Sequence, residues 1–289
     1  MRDATLLLLG HGSRDPAGVA EFLAVADSVQ RALPGLPVEA GVLEFPGPRA
    51  PAIAEAFARC AARGARRVLA LPVLLHFGVH GTADVPTQVA AARQRYGHME
   101  IRLAPPLQGH ERLLDLVAER CDAARATLSD AASIADTPES QHTTVLLVGR
   151  GSTSPRANAD LYATARLFQE SHSYRPVEVC FVSLAPPCVP AGIRRCVALG
   201  ARRLLVVPYF VNTGVLVRRI REQVAAARLF YPAVEVSVAP HFGPDRHLVA
   251  ALLDRAQGVW PELVVPATAE PTAGPLPGSA DPILAESRR

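Results

Sequence analysis

The sequence predicts an α/β protein made of two tandem half-domains, each a four-stranded parallel sheet flanked by helices. Three observations carry this. Short apolar runs alternate with segments of helical periodicity through most of the 289 residues, which is the pattern of βαβ units with right-handed crossovers. The pattern also occurs twice. Val145-Leu146-Leu147-Val148-Gly149-Arg150-Gly151-Ser152 answers Leu6-Leu7-Leu8-Leu9-Gly10-His11-Gly12-Ser13 at an offset of 139 residues, and Gly200-Ala201-Arg202-Arg203 answers Gly64-Ala65-Arg66-Arg67 at an offset of 136. A repeat period above a hundred residues marks a duplicated domain, because solenoid repeats are far shorter.

The elements follow in order. Thr5–Leu9 is an apolar run closed by a glycine-flanked histidine, as suits a buried parallel strand. Pro16 starts a helix over Ala17–Ala32, where Val19, Phe22, Leu23, Ala26 and Val29 share one face. A strand at Val38–Leu43, a helix at Ala50–Arg63 and a strand at Val68–Leu75 come next. A helix at Val85–Tyr96, a strand at Glu100–Leu103 and a helix from His110 to Ala126 complete the first half, with Asp84 and Pro86 capping and starting the helix they precede. The Ser/Thr/Ala/Asp-rich stretch that follows lacks an apolar period and is a linker. Pro208 then answers Pro72, and Ala239-Pro240 answers Ala104-Pro105. The resulting division is a first half-domain at 1–126, a linker at 127–142, a degenerate second half-domain at 143–265 and a Pro/Ala-rich, disordered tail at 266–289.

Composition narrows the function. About half the residues are apolar and the formal net charge is +3, with every one of the 30 basic residues an Arg. No basic run carries interleaved aromatics, so a nucleic-acid partner is not expected. No apolar stretch approaches the ~18 residues of a membrane span. Arg2 and Asp3 lead straight into the first strand, so no leader is expected. Five scattered cysteines without a Cys-x-x-Cys pair argue for reduced thiols in a cytoplasmic protein and against a zinc ribbon or iron–sulfur site.

Three polar residues of the first half fall where strands end: His11 after the first, Glu44 after the second and His80 after the third. Ligands of open α/β sheets sit at that rim. Two imidazoles and a carboxylate suit borderline divalent ions, and equally suit proton transfer near neutral pH. The second copy offers an internal comparison. Arg150 stands for His11, Leu216 for His80 and, subject to where a three-residue gap falls, Ser183 for Glu44. The frame of glycines, prolines and strands survives while the polar triad is gone, so His11 and His80 serve function rather than fold. Cys60 and Cys196 share a position in the two copies, which argues for packing. His76 and His241 also lie near strand ends: His76 suits a turn in the cleft wall, a third ligand or a proton relay, and His241 a structural use or a place reaching the cleft. His98, His110, His142, His172 and His247 receive no role.

Gly10-His11-Gly12-Ser13-Arg14, the Leu43-Glu44 strand end, Gly64-Ala65-Arg66-Arg67, and His80 with Asp84-Val85-Pro86 together resemble the class II tetrapyrrole chelatases. The resemblance is to the long, two-domain sirohydrochlorin cobaltochelatase/ferrochelatase family and covers Thr5 to Gln257. It implies two flavodoxin-like half-domains facing across a cleft. It also implies insertion of Co²⁺ or Fe²⁺ into sirohydrochlorin, on the way to cobalamin or sirohaem, with the metal as substrate and no organic cofactor. The positions matching the family's histidines, His11 and His80, would hold the metal and take pyrrole protons, assisted by Glu44. Unlike some long members, this chain has no His-rich stretch and no cysteine cluster.

Neutral imidazoles hold a metal loosely enough to release it, whereas thiolates would retain it. A carboxylate offsets the charge of the ion and gives protons an exit. The substrate bears carboxylates, for which Arg is the natural partner. Ser13, Arg14, Arg150 and Arg218 are the substrate-binding candidates, with Arg219 beside them. Because duplication supplies a facing pair within one chain, a monomer is expected. The rival readings are a tetrapyrrole or metal carrier with the same cleft, and a metal-dependent phosphohydrolase, for which neither an Asp-rich site nor a phosphate-binding helix start is visible.

Overall fold

The computed structural model describes residues 3–75, 83–128 and 143–263. The first half contains β1 (Ala4–Gly10), α1 (Pro16–Ala32), β2 (Val38–Val42), α2 (Ile53–Ala62), β3 (Arg67–Pro72), α3 (Val85–Arg95), β4 (Glu100–Leu103) and α4 (Glu111–Arg125). The second repeats the order with β5 (Thr143–Gly149), α5 (Pro155–Ser171), β6 (Val177–Phe181), α6 (Val189–Ala198), β7 (Arg203–Pro208), α7 (Val215–Arg228), β8 (Glu235–Val238) and α8 (Arg246–Val259). All strand pairs are parallel, in the orders β2-β1-β3-β4 and β6-β5-β7-β8. The expected pair of four-stranded parallel sheets flanked by helices is therefore what forms.

Both central strands, β1 and β5, are buried along their whole length, which explains runs of leucine and valine without polar alternation. Leu7 and Leu9 pack outward with Phe57, Cys60 and Val89 of α2 and α3. Leu146 and Val148 do the same with Ile193, Cys196 and Ile220 of α6 and α7. Cys60 and Cys196 thus fill equivalent apolar sites, as expected, and burial pushes each thiol up to about 12. Leu6 and Leu8 face the other way, into one continuous core that also holds Val145, Leu147, Phe168, Leu116 and Leu252. The two halves share that inner layer.

The helices that end the halves cross over. α4 packs on α8 and on β7 and β8 of the second sheet, while α8 packs on β3 of the first. Polar contacts lock the crossing. Arg120 donates to the carbonyls of His241 and Phe242 at 3.2 and 2.6 Å and pairs with Asp245 at 2.8 Å. Arg102 covers the Trp260 ring at 4.1 Å.

The element boundaries differ from the sequence expectation where proline intervenes. The third strand ends at Pro72, which has no N–H of its own, and one more bond to β1 follows from the Val73 N–H to Leu9 O at 2.9 Å. The second helix starts at Ile53 rather than Ala50, because Ala52 still bridges Val42 and Pro51 accepts the Val42 N–H. Asp84 stands at the N-terminal position of α3, where Pro86 starts the helix, but its side chain makes no capping bond there. The 266–289 tail and most of the 127–142 linker lie outside the described residues.

Candidate active site

Each half closes its sheet with the same turn. Beyond β1, the Leu43 N–H donates to Gly10 O at 3.1 Å and the Glu44 N–H to His11 O at 2.9 Å. Beyond β5, Val182 donates to Gly149 O at 2.9 Å and Ser183 to Arg150 O at 3.0 Å. The pairing of β1 with β2 thus continues past the strand ends and sets Glu44 beside His11. It also shows that Ser183 is the structural counterpart of Glu44. Phe45 and Leu184, next in each copy, share left-handed φ values of 51° and 59°, so the three-residue gap falls after them, in the loop before α6.

The turns of the two halves meet over one cleft of about 800 Å³. His11, Glu44, Phe45, Arg150, Leu184 and Leu216 are among the residues that line it. Phe45 and Leu184 are exposed on the two lips, which gives the cleft an apolar surface on each side. Two of the polar trio meet as expected: His11 Nδ1 lies 4.0 Å from Glu44 Oε2, with the side chains 31 and 39 % exposed. His80, like His76, lies outside the described residues. Among the described residues no group of three or more His, Cys, Asp or Glu stands in metal-holding geometry.

The arginine candidates fall into different settings. Arg150 reaches across the cleft, its Nη1 2.8 Å from His11 Nε2. Arg14 is exposed at the rim, its guanidinium 4.5 Å from the Phe45 ring centroid. Arg218, also from the second half, pairs with Asp15 at 2.5 Å. That guanidinium, with help from the Ala17 N–H, holds the Asp15 carboxyl below its ordinary value although burial opposes it. Arg219 is exposed on α7. Ser13 Oγ accepts the Asp15 N–H at 3.0 Å, and Ser152 repeats this with Ser154 at 3.0 Å. In both copies this hydroxyl holds the loop that carries the cleft residue.

Several residues important to the cleft escaped the sequence reading. Asp15 both caps α1, accepting from Ala17 N at 3.0 Å, and ties down Arg218. An Asp directly before a Pro-started helix is a capping signal. Glu21 accepts the Thr213 N–H at 2.6 Å and lies 3.0 Å from His241 Nε2, joining the halves behind the cleft. His241 is thus held by Glu21 where the halves join. Nothing in the sequence reveals Glu21, because its partners lie in the other half.

Two parallel-sheet lobes that present their strand ends to one shared cleft define a duplicated α/β protein with a single asymmetric site. The chain belongs to the CbiX family, whose family model matches residues 5–124 and again 144–259. A sirohydrochlorin cobaltochelatase of Priestia megaterium is 32 % identical over 254 residues, covering 88 % of this chain and 79 % of that one. A sirohydrochlorin ferrochelatase of the same organism is 28 % identical over 220 residues, covering 75 and 77 %. Among solved structures, the sirohydrochlorin chelatase SirB from Bacillus subtilis subspecies spizizenii in complex with cobalt superposes with a TM-score of 0.68 at 25 % identity, covering 88 % of this chain and 94 % of that one.

Proposed function

We propose that this protein is a sirohydrochlorin chelatase, a lyase that inserts Co²⁺ or Fe²⁺ into the macrocycle and releases two protons. The family membership and the relatives' activities support the reaction. The observation that carries the site assignment is the asymmetry of the cleft: one turn offers His11 beside Glu44, and the equivalent turn offers Arg150 beside Ser183.

In this reading His11 and His80 hold the ion, and each becomes a base able to take a pyrrole proton once its ring nitrogen has passed the ion to the macrocycle. Glu44 lies on the Nδ1 side of His11, where a carboxylate stabilises the imidazolium formed by proton transfer. It also offsets the charge of the incoming ion. The macrocycle lies against Phe45 and Leu184, and its carboxylates engage Arg14, Arg150 and Arg218, with Ser13 keeping the Arg14 loop in place. The first half-domain supplies the reacting groups and the second holds the substrate. No organic cofactor is required, because the metal is itself a substrate and no electron is transferred.

No helix among the described residues is long and apolar enough to cross a membrane. A monomer accords with a chain supplying both walls of its own cleft, and a cytoplasmic setting accords with five cysteines that lack a Cys-x-x-Cys pair. The test is metallation of sirohydrochlorin by purified protein, followed by the change in the macrocycle's visible absorption on adding Co²⁺ or Fe²⁺. Catalysed insertion supports the chelatase, and binding of the macrocycle without insertion makes the protein a carrier.

A further inference from the structure

Arg150 does more than stand where the second half lacks a histidine. Its Nη1 lies 2.8 Å from His11 Nε2. A guanidinium has only donors and stays charged across the whole working pH range, so the ring nitrogen facing it is the acceptor. That contact selects the tautomer. The ring proton sits on Nδ1, the nitrogen 4.0 Å from Glu44 Oε2, where the carboxylate favours an N–H. The lone pair that His11 can offer a metal ion is therefore the one on Nε2, and Arg150 holds it.

We propose that Arg150 is a gate on the metal-binding nitrogen of His11, released by the macrocycle. It holds His11 Nε2 until a substrate carboxylate draws it off, so the ion ligates His11 only after the tetrapyrrole has bound. The proposal rests on the chelatase reading and adds to it an order of binding.

The chemistry favours this exchange. Ion and guanidinium compete for one lone pair, and both are cations, so neither tolerates the other at hydrogen-bonding distance. A carboxylate that takes two parallel N–H bonds is a stronger partner for guanidinium than a neutral imidazole. An anionic macrocycle therefore wins Arg150 where a bare cation does not. The geometry allows movement of the side chain alone. The Arg150 side chain is exposed, whereas its backbone is pinned through the Ser183 N–H at 3.0 Å. Placing the gate in the second half sets it opposite His11, on the wall that a macrocycle entering between the halves must meet.

The experiment measures Co²⁺ binding to the tetrapyrrole-free protein by calorimetry and by Co²⁺ visible absorption. Wild type is compared with Arg150→Leu, Arg150→Met, Arg14→Leu and the His11→Ala/Arg150→Leu double variant. Losing a charge-assisted hydrogen bond on the ligating nitrogen predicts about tenfold or more tighter binding in Arg150→Leu. Arg150→Met should match it, and the double variant should lose the gain. Arg14→Leu, which removes a charge from the same rim without touching His11, should change affinity less than about twofold if the effect is local. Equal affinities for wild type and both Arg150 variants would overturn the gate, and so would an equal gain in Arg14→Leu. Metallation of sirohydrochlorin by wild type is measured alongside. Its absence sinks the chelatase reading, whereas its presence with equal Co²⁺ affinities sinks the gate alone.

Discussion

A Cβ placed on Gly12 would stand 1.8 Å from the carbonyl oxygen of Glu44. Gly12 has φ +98°, and its counterpart Gly151, with φ +85°, would meet Ser183 O at 1.9 Å. The glycines let each half bring its two strand ends together, and in the first half those ends carry His11 and Glu44. Gly12→Ala and Gly151→Ala should each destabilise the protein by about 2 kcal/mol or more, through left-handed backbone strain and the displaced loop. Both are measured by denaturant unfolding. Gly12→Ala should in addition lose metallation by the protein that remains folded, because it moves Glu44 relative to His11. Equal activity in the folded fractions of the two variants would contradict that assignment.

The crossing of α4 and α8 predicts that the halves do not fold separately as monomers. A fragment ending at residue 128 has no α8 to cover β3, and its α4 has no second sheet to cover. Its exposed inner core should drive self-association or aggregation, seen by size-exclusion chromatography with light scattering. A cooperatively folding monomeric fragment would show that each half is complete in itself.

The pair formed by Asp15 and Arg218 joins the halves at the cleft. Asp15→Asn keeps a good helix cap and removes the charge, so it should cost only about 0.5–1 kcal/mol, given that the Arg218 side chain is 53 % exposed. Asp15→Ala loses the cap as well and should cost about 1 kcal/mol more. Arg218 lowers the carboxyl pKa from the ordinary 3.8, so the unfolded chain takes up the proton first as pH falls. The pair's contribution is complete above 3.8 and is lost as pH falls through the lower folded value. The stability gap to Asp15→Asn should therefore stay constant from pH 8 to 5.

His110 gives a dependence nearer neutrality. Its Nδ1 accepts the Arg112 N–H at 3.3 Å, capping α4, and that bond needs the neutral ring. Burial lowers its pKa from 6.5, as it does for His247. The unfolded state then binds protons before the folded one, and stability declines as pH falls below 6.5. His110→Asn keeps a capping side chain and should flatten part of that decline, while leaving stability at pH 7.5 within about 1 kcal/mol of wild type. An unchanged slope would assign the decline elsewhere.

Much of this arrangement was legible in the sequence. Leucine and valine runs closed by Gly-His-Gly and Gly-Arg-Gly placed the central strands and their duplication, because strands buried on both faces leave no other pattern. Glu44 was found because strand ends in a parallel sheet share one rim. The crossing of α4 with α8 was not legible: the apolar face of a helix looks the same whichever sheet it covers. Glu21, the pairing of Asp15 with Arg218 and the contact of Arg150 with His11 were hidden for a related reason. Each depends on a partner in the other half, about 139 to 220 residues away, and no local pattern encodes such a meeting.

The most direct test of the account is single-turnover metallation of sirohydrochlorin by wild type and His11→Ala, with macrocycle binding followed separately by fluorescence quenching. His11→Ala should bind the macrocycle within a few-fold of wild type and lose at least about a hundredfold in insertion rate. An unchanged insertion rate in His11→Ala would contradict the assignment of this cleft as the site of metal insertion.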